Sequence, residues 1–324
     1  MKIIKIEYCS FMKNLTMIAT LFFSTTIYAS RLFVEYEEIK YVAFNADLSY
    51  QTHNLKKNLI KNRVKGITYL VYGQDQRELD IFKKLVSGLF ESDNEFNSTI
   101  KLLLIKTIGE AKWPQDSFPN LRIDGKKLTF IDSDYYEGFE PDQFISNYFD
   151  IQKIHSKATF ETGNLVTNRK GDCYTVKEVF SDQMSDEVFS QAFSCKSITR
   201  LKHKFGIGHA DEVLKFISDN VVLTQDETLV KSLEDKGYKV YLLPKAPMPG
   251  RGVMPQRSYV NSLLINGIAY VPTFQNKKLD NKAISVYKKA GLKAIPVDAT
   301  YISDYGGGAL HCLTKTYPDF SLFK

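Results

Sequence analysis

Cysteine is scarce. Four residues in a chain of 324 are too few for a disulfide framework, and neither a C-x-x-C pair nor the five histidines supply the ligand spacing of a structural zinc site. Ten prolines and eighteen glycines exclude a collagen-like or low-complexity chain. Charge of one sign is not in large excess either: 43 basic against 37 acidic side chains give a formal +6 with no basic cluster, so there is no nucleic-acid footprint. What is present is 44% apolar and 25% charged residues, the balance of a chain that buries a sizeable core.

The first stretch reads as a leader rather than as fold. Lys2, Lys5 and Lys13 precede an uncharged run from Leu15 to Tyr28, followed by Ala29 and Ser30. Basic start, short apolar run and small residue at the end form the layout of a secretory signal peptide, here residues 1–29. The apolar run is about 14 residues, against the roughly 20 that a spanning helix needs, so stable membrane insertion is not expected. The expected location is secreted or periplasmic, with residues 30–324 as one domain near the upper size limit for a single core, roughly 295 residues. Removing the leader takes away three lysines, one glutamate and Cys9, which leaves a net +4 and three cysteines, Cys173, Cys195 and Cys312.

The remaining chain is periodic. Residues 212–243 read as strand, tight turn, strand, helix, glycine stop and strand, with the turn at Asp219-Asn220 and Gly237 as the helix stop. Residues 259–297 repeat that order, with a strong hairpin signal at Asn266-Gly267 and a matching Gly291, 54 residues after Gly237. A weaker copy lies upstream: a strand over 67–73, an amphipathic helix from Gln76 to Leu89 and a strand over 101–107. The expected architecture is therefore α/β, built from units of roughly 50 residues.

Five short segments break the periodicity at strand ends: Trp113-Pro-Gln-Asp116, Phe160-Glu-Thr-Gly-Asn164, Gly206-Ile-Gly-His-Ala-Asp-Glu212, Ser258-Tyr-Val-Asn261, and Gly306-Gly-Gly-Ala-Leu-His-Cys-Leu-Thr314. Taken singly, each has an ordinary structural role open to it. A buried thiol is usually packing, a lone loop histidine is usually hydrogen-bonded, and Asp116 and Glu161 read as turn or solvated carboxylates. His209 and Asp211 are harder to set aside, because residues two apart in extended chain face the same way.

Taken together, the order W-x-x-D, G-N, G-H-x-D-E, S-Y-x-N with an N-G hairpin, and G-G-G-x-x-H-C-x-T resembles the guanidino-group-modifying superfamily, in particular the agmatine deiminases and bacterial peptidyl-arginine deiminases. Val34-Glu-Tyr-Glu37 is similar to an N-terminal segment of the same enzymes. The resemblance implies a five-bladed α/β propeller. It implies Cys312 as nucleophile, His209 as general acid and base, Asp116 and Asp211 as the carboxylates that hold a guanidinium, and contributions to substrate binding from Trp113, Glu161 and Asn261.

Under that resemblance His311, next to Cys312 and so on the opposite side of an extended chain, is structural, and Arg251 and Arg257 read as surface arginines. No metal and no cofactor are implied, and no calcium loop of the EF-hand kind indicates calcium dependence. With Cys312 as the nucleophile, Cys173 and Cys195 are left as candidates for a disulfide. The leader favours arginine-containing proteins or peptides as substrates, converted to citrulline plus ammonia. Agmatine or free-arginine deimination is the alternative, and a non-catalytic secreted binding protein on the same fold is the alternative of another class. A papain-like peptidase would need its nucleophile ahead of its histidine, the reverse of the order here.

Overall fold

The computed structural model describes residues 30–49, 52–105, 112–132, 141–156, 160–176, 185–202, 208–247 and 256–323. Residues 1–29, the expected leader, lie outside the described residues, as do Gly206, Ile207 and Arg251. The fold is mixed α/β, and no helix of the described residues is long and apolar enough to cross a membrane.

Among the described residues one construction recurs in five small sheets. An antiparallel pair is followed by a helix that carries the chain to a third strand, parallel to the second. The units read from the sequence are two of them: Leu214–Ser218, Val221–Thr224 and Lys239–Leu242 form one sheet, and Leu263–Ile265, Ile268–Thr273 and Lys293–Asp298 form the next. The crossover helices, Glu227–Asp235 and Lys277–Lys289, start where Asp226 and Asn276 accept hydrogen bonds from the backbone N–H groups of Thr228 and Leu279. Such caps satisfy donors that a helix start leaves unpaired. The Asn266-Gly267 turn has φ of 48° and 81°, both left-handed, which is why that pair belongs in a two-residue hairpin.

The upstream copy is longer than expected. Gln76–Val86 is capped by Asp75 and runs on into a 3-10 turn, and a further helix, Asp93–Thr99, precedes the strand Ile100–Leu104. Two sheets escaped the sequence reading. One joins Arg31–Leu32, Asn120–Asp124, Lys127–Asp132 and Lys153–His155, and the other joins Val166–Thr167, Asp172–Val176 and Ser197–Leu201. Their strands are short, and the first sheet borrows a strand from 88 residues upstream, a pairing no local pattern announces. The fifth sheet holds the first and last parts of the chain together: Lys315–Tyr317 lies antiparallel to Tyr41–Asn45, which continues to Thr68–Gly73 and Ile100–Leu104.

Cys173 and Cys195 are disulfide-bonded, and Cys312 is a free, buried thiol. The bond ties the strand Asp172–Val176 to the end of the helix Asp186–Phe193 beside Phe160, Phe189 and Phe193. Closing a loop of 22 residues restricts the unfolded chain by about 3 kcal/mol. Replacing both cysteines by alanine is expected to lower the free energy of unfolding in urea by about that amount. An unchanged midpoint would mean the bond does not contribute.

Candidate active site

Cys312 sits in a turn from Leu310 to Leu313, between the helix Thr300–Tyr305 and the strand Lys315–Tyr317. The three glycines before it are needed for space and for backbone shape. A Cβ on Gly308 would lie 3.0 Å from Cys312 Sγ and 3.0 Å from the Trp113 ring, and one on Gly306 would meet Ile302 and the same ring, while Gly307 has φ of 82°. Trp113, half-buried, thus walls the loop that carries Cys312.

Asn261 joins this turn to the rest of the site. Its Oδ1 accepts from the backbone N–H groups of Ala309, His311 and Cys312 at 3.1, 3.1 and 3.3 Å, and its Nδ2 donates to Cys312 Sγ at 3.0 Å and to Asp211 Oδ2 at 3.2 Å. The segment that presents it is fixed by buried tyrosines: Tyr259 donates to Asp280 at 2.7 Å, and Tyr287 donates to the Tyr259 carbonyl at 2.7 Å. Asn261 therefore shapes the turn and touches the thiol directly.

His209 and Asp211 do converge, but not through extended chain. His209 is extended, whereas Ala210–Glu212 is a 3-10 turn. His209 Nε2 lies 2.5 Å from Glu161 Oε2, and its Nδ1 lies 3.6 Å from Asp116 Oδ1. Asp116, in the short helix Pro114–Ser117, accepts from the backbone N–H of Gly163 at 3.0 Å, and a Cβ on Gly163 would collide with that same carboxylate. Asp211 Oδ2 accepts from His311 Nδ1 at 2.6 Å and lies 3.6 Å from Cys312 Sγ, while its Oδ1 is buried with no hydrogen-bond partner among the described residues.

All four central groups, Asp116, His209, Asp211 and Cys312, are at most 5% exposed. Burial pushes the Cys312 thiol well above its ordinary range, and the charges of Asp211, Glu212 and Asp116 push it further. Burial likewise raises Asp116 to about 7, with Glu161 and Asp211 adding to the effect and His209 opposing it. His209 goes the other way from its surroundings: burial disfavours its charge, but Asp116, Glu161 and Asp211 outweigh burial and hold it at about 10. The site is an enclosed cluster of carboxylates around a neutral thiol, a place where a cation gains much and an anion loses.

Three residues correct or extend the sequence reading. His311 faces into the cluster, because residues 310–313 form a turn and the rule for extended neighbours does not hold there. Glu212, passed over within G-H-x-D-E, is 1% exposed, with Oε1 3.8 Å from Cys312 Sγ and Oε2 without a hydrogen-bond partner among the described residues. Its one signal was its place next to Asp211 in that segment. Arg257 is not a surface arginine: its Nε and one terminal nitrogen each donate to Asp304 at 2.7 Å, and its side chain is 10% exposed. Asp211, Glu212 and Cys312 offer donor atoms within 4.8 Å of one another, the grouping that could hold a cation.

The sequence profile of the Porphyromonas-type peptidyl-arginine deiminases matches residues 110–318. The chain belongs to that family. The matched stretch contains every site residue named above from Trp113 to Cys312. An agmatine deiminase of Medicago truncatula is 23% identical over an alignment of 221 residues that covers 52% of this chain and 59% of that relative, so the chain spans little more than half of its length. Among solved structures, the C. jejuni agmatine deiminase has a TM-score of 0.70 at 17% identity, covering 89% of this chain and 95% of that one. The Enterococcus faecalis agmatine deiminase has a TM-score of 0.67 at 17% identity, covering 90% and 96%. At these identities the structural likeness speaks for the fold.

Proposed function

We propose that this family member hydrolyses the guanidinium of a small substrate of the agmatine class, releasing ammonia and leaving a ureido product. The observation that carries this is the partnerless, buried Oδ1 of Asp211 beside a thiol enclosed by carboxylates. A guanidinium is planar, cationic and rich in N–H donors, so Asp211 and Asp116 suit it as paired acceptors on either side. Its positive charge also removes the obstacle to ionising Cys312, since opposite charge at close range favours the thiolate.

The chemistry then follows from positions. As the cation binds, the Cys312 proton is released to solvent and Sγ bonds to the guanidinium carbon; the tetrahedral adduct then expels ammonia as His209 gives up a proton to it. Water, deprotonated by His209, attacks the remaining thiouronium carbon, and the carbon–sulfur bond breaks to return the thiol. Glu161 orients His209 through the 2.5 Å contact, and Asn261 supports the thiolate. We read the five sheets as the blades of an α/β propeller with the site at its centre, and residues 1–29 as a leader that directs residues 30–324 out of the cytoplasm. No cofactor enters these steps.

A second reading, arginine-containing peptides as substrate, is favoured by the family's description and by the leader-like N-terminus. The two share the buried head group and differ in what the mouth must admit. Incubating the protein with agmatine, an arginine peptide and free arginine, and assaying ureido product and ammonia, separates them. We expect the highest kcat/KM on agmatine. A preference for the peptide would move the assignment to the second reading, and no product from any guanidine would end both.

A further inference from the structure

The N-terminal segment delivers a charge to the back of the site. Glu35 follows the strand Arg31–Leu32 and is mostly buried; its Oε2 accepts from Lys215 Nζ at 2.6 Å, and its Oε1 lies 3.2 Å from His311 Nε2. The other nitrogen of the same imidazole, Nδ1, is the one that contacts Asp211 Oδ2 at 2.6 Å. One histidine thus bridges two carboxylates that stand 176 residues apart in sequence, with a carboxylate oxygen facing each ring nitrogen. Lys215, on the strand Leu214–Ser218, is buried with them, and Lys315 borders the same small cavity of about 80 Å³.

The arrangement matters because Asp211 has cations behind it. His311 with a proton on both nitrogens and Lys215 would together neutralise Asp211 from the rear and weaken its pull on a cation in front. Glu35 supplies the second negative charge, so the buried group of four is balanced and Asp211 keeps its charge. Its unpartnered oxygen then remains on the side of Cys312.

We propose that Glu35 is a positioning residue for the substrate cation, acting through His311 on Asp211, and that its pairing with Lys215 keeps the charge of Asp211 available to the substrate. This rests on the reading of Asp211 as a guanidinium ligand.

The test is a charge-balance cycle on the full chain with agmatine: wild type, E35Q, K215M and E35Q/K215M, each with kcat, KM and Tm, and with agmatine binding measured calorimetrically in a C312A background. E35Q leaves an uncompensated positive charge and is expected to raise KM, and Kd in the C312A background, about tenfold while kcat stays within about threefold. The double variant restores the balance and is expected to bring KM back to within about twofold of wild type, which loss of mere structural support would not do. Should E35Q fail to fold, K215M against E35Q/K215M carries the same test, because removing Glu35 there is again expected to raise KM about tenfold. Active wild type with KM unchanged in E35Q, or equal values for K215M and the double variant, overturns this proposal alone. A wild type inert on every guanidine overturns the deiminase reading and this proposal with it.

Discussion

Replacing Cys312 with alanine is expected to lower kcat on the preferred guanidine by on the order of 10⁴-fold or more while leaving guanidinium binding within a few-fold of wild type. The size follows from the role: without Sγ there is no covalent adduct, and neither Asp116 nor Asp211 can replace it as a nucleophile at carbon. Binding is expected to persist because the carboxylates proposed to hold the cation, Asp116 and the free oxygen of Asp211, are placed by contacts other than the thiol. Affinity is expected to change modestly at most, since removing a neutral thiol from among carboxylates neither adds nor deletes a charge.

The same electrostatics set the thiol's reactivity. Burial and the charges of Asp211, Glu212 and Asp116 hold the thiol protonated in the free protein. Alkylation of Cys312 at neutral pH is therefore expected to be slow, and faster with a haloacetamidine, whose cationic amidine compensates those carboxylates, than with iodoacetamide, which carries no charge. Mass spectrometry of the modified protein measures both rates. Equal rates for the cationic and neutral reagents would mean that the carboxylates do not govern the thiol.

The second large effect belongs to His209, whose replacement by alanine is expected to cost about 10²- to 10⁴-fold in kcat, the range for a positioned general acid and base. Its environment makes a sharper statement. Asp116, Glu161 and Asp211 overcome burial and raise its pKa to about 10, so in the free protein the imidazole is protonated, as the proposed role of general acid requires. Glu161→Gln removes one of the anions that favour the charged ring, so the pKa of His209 falls. The protonated form is then lost at lower pH, and the alkaline limb of the kcat/KM profile is expected to move toward neutrality. A profile between pH 6 and 11 that does not shift would show that the 2.5 Å contact with Glu161 does not tune the acid.

The parts of the molecule legible in the sequence were those whose signals are local. Asn266-Gly267, Gly237 and Gly291 mark backbone that few residues adopt, and all three have the positive φ their positions required. The segments holding Trp113, Asp116, Glu161, His209, Asp211, Asn261 and Cys312 stood out because polar residues interrupt an apolar alternation, and the fold brings the four central groups of that set together. What stayed hidden depends on partners far apart. His311 could be placed against Asp211 and Glu35 only by knowing that residues 310–313 turn, and Glu35 meets Lys215 across 180 residues. The two unrecognised sheets have the same cause, strands of two to six residues whose neighbours are set by tertiary pairing. The choice between a small guanidine and a peptide was equally out of reach, because both carry the same head group.

The sheet that unites the two ends of the chain has a consequence for when the site comes into being. The strand Lys315–Tyr317 begins three residues after Cys312 and finds its partner, Tyr41–Asn45, near the opposite end. During synthesis, Asp116, His209 and Asp211 all emerge before the thiol does. The turn that aims the thiol cannot be anchored until residues 315–317 have also left the ribosome and closed on a strand that has waited for nearly the whole chain. A nascent or prematurely ended chain is therefore expected to carry the acidic residues without the thiol held beside them, and the site to be complete only once that sheet has closed.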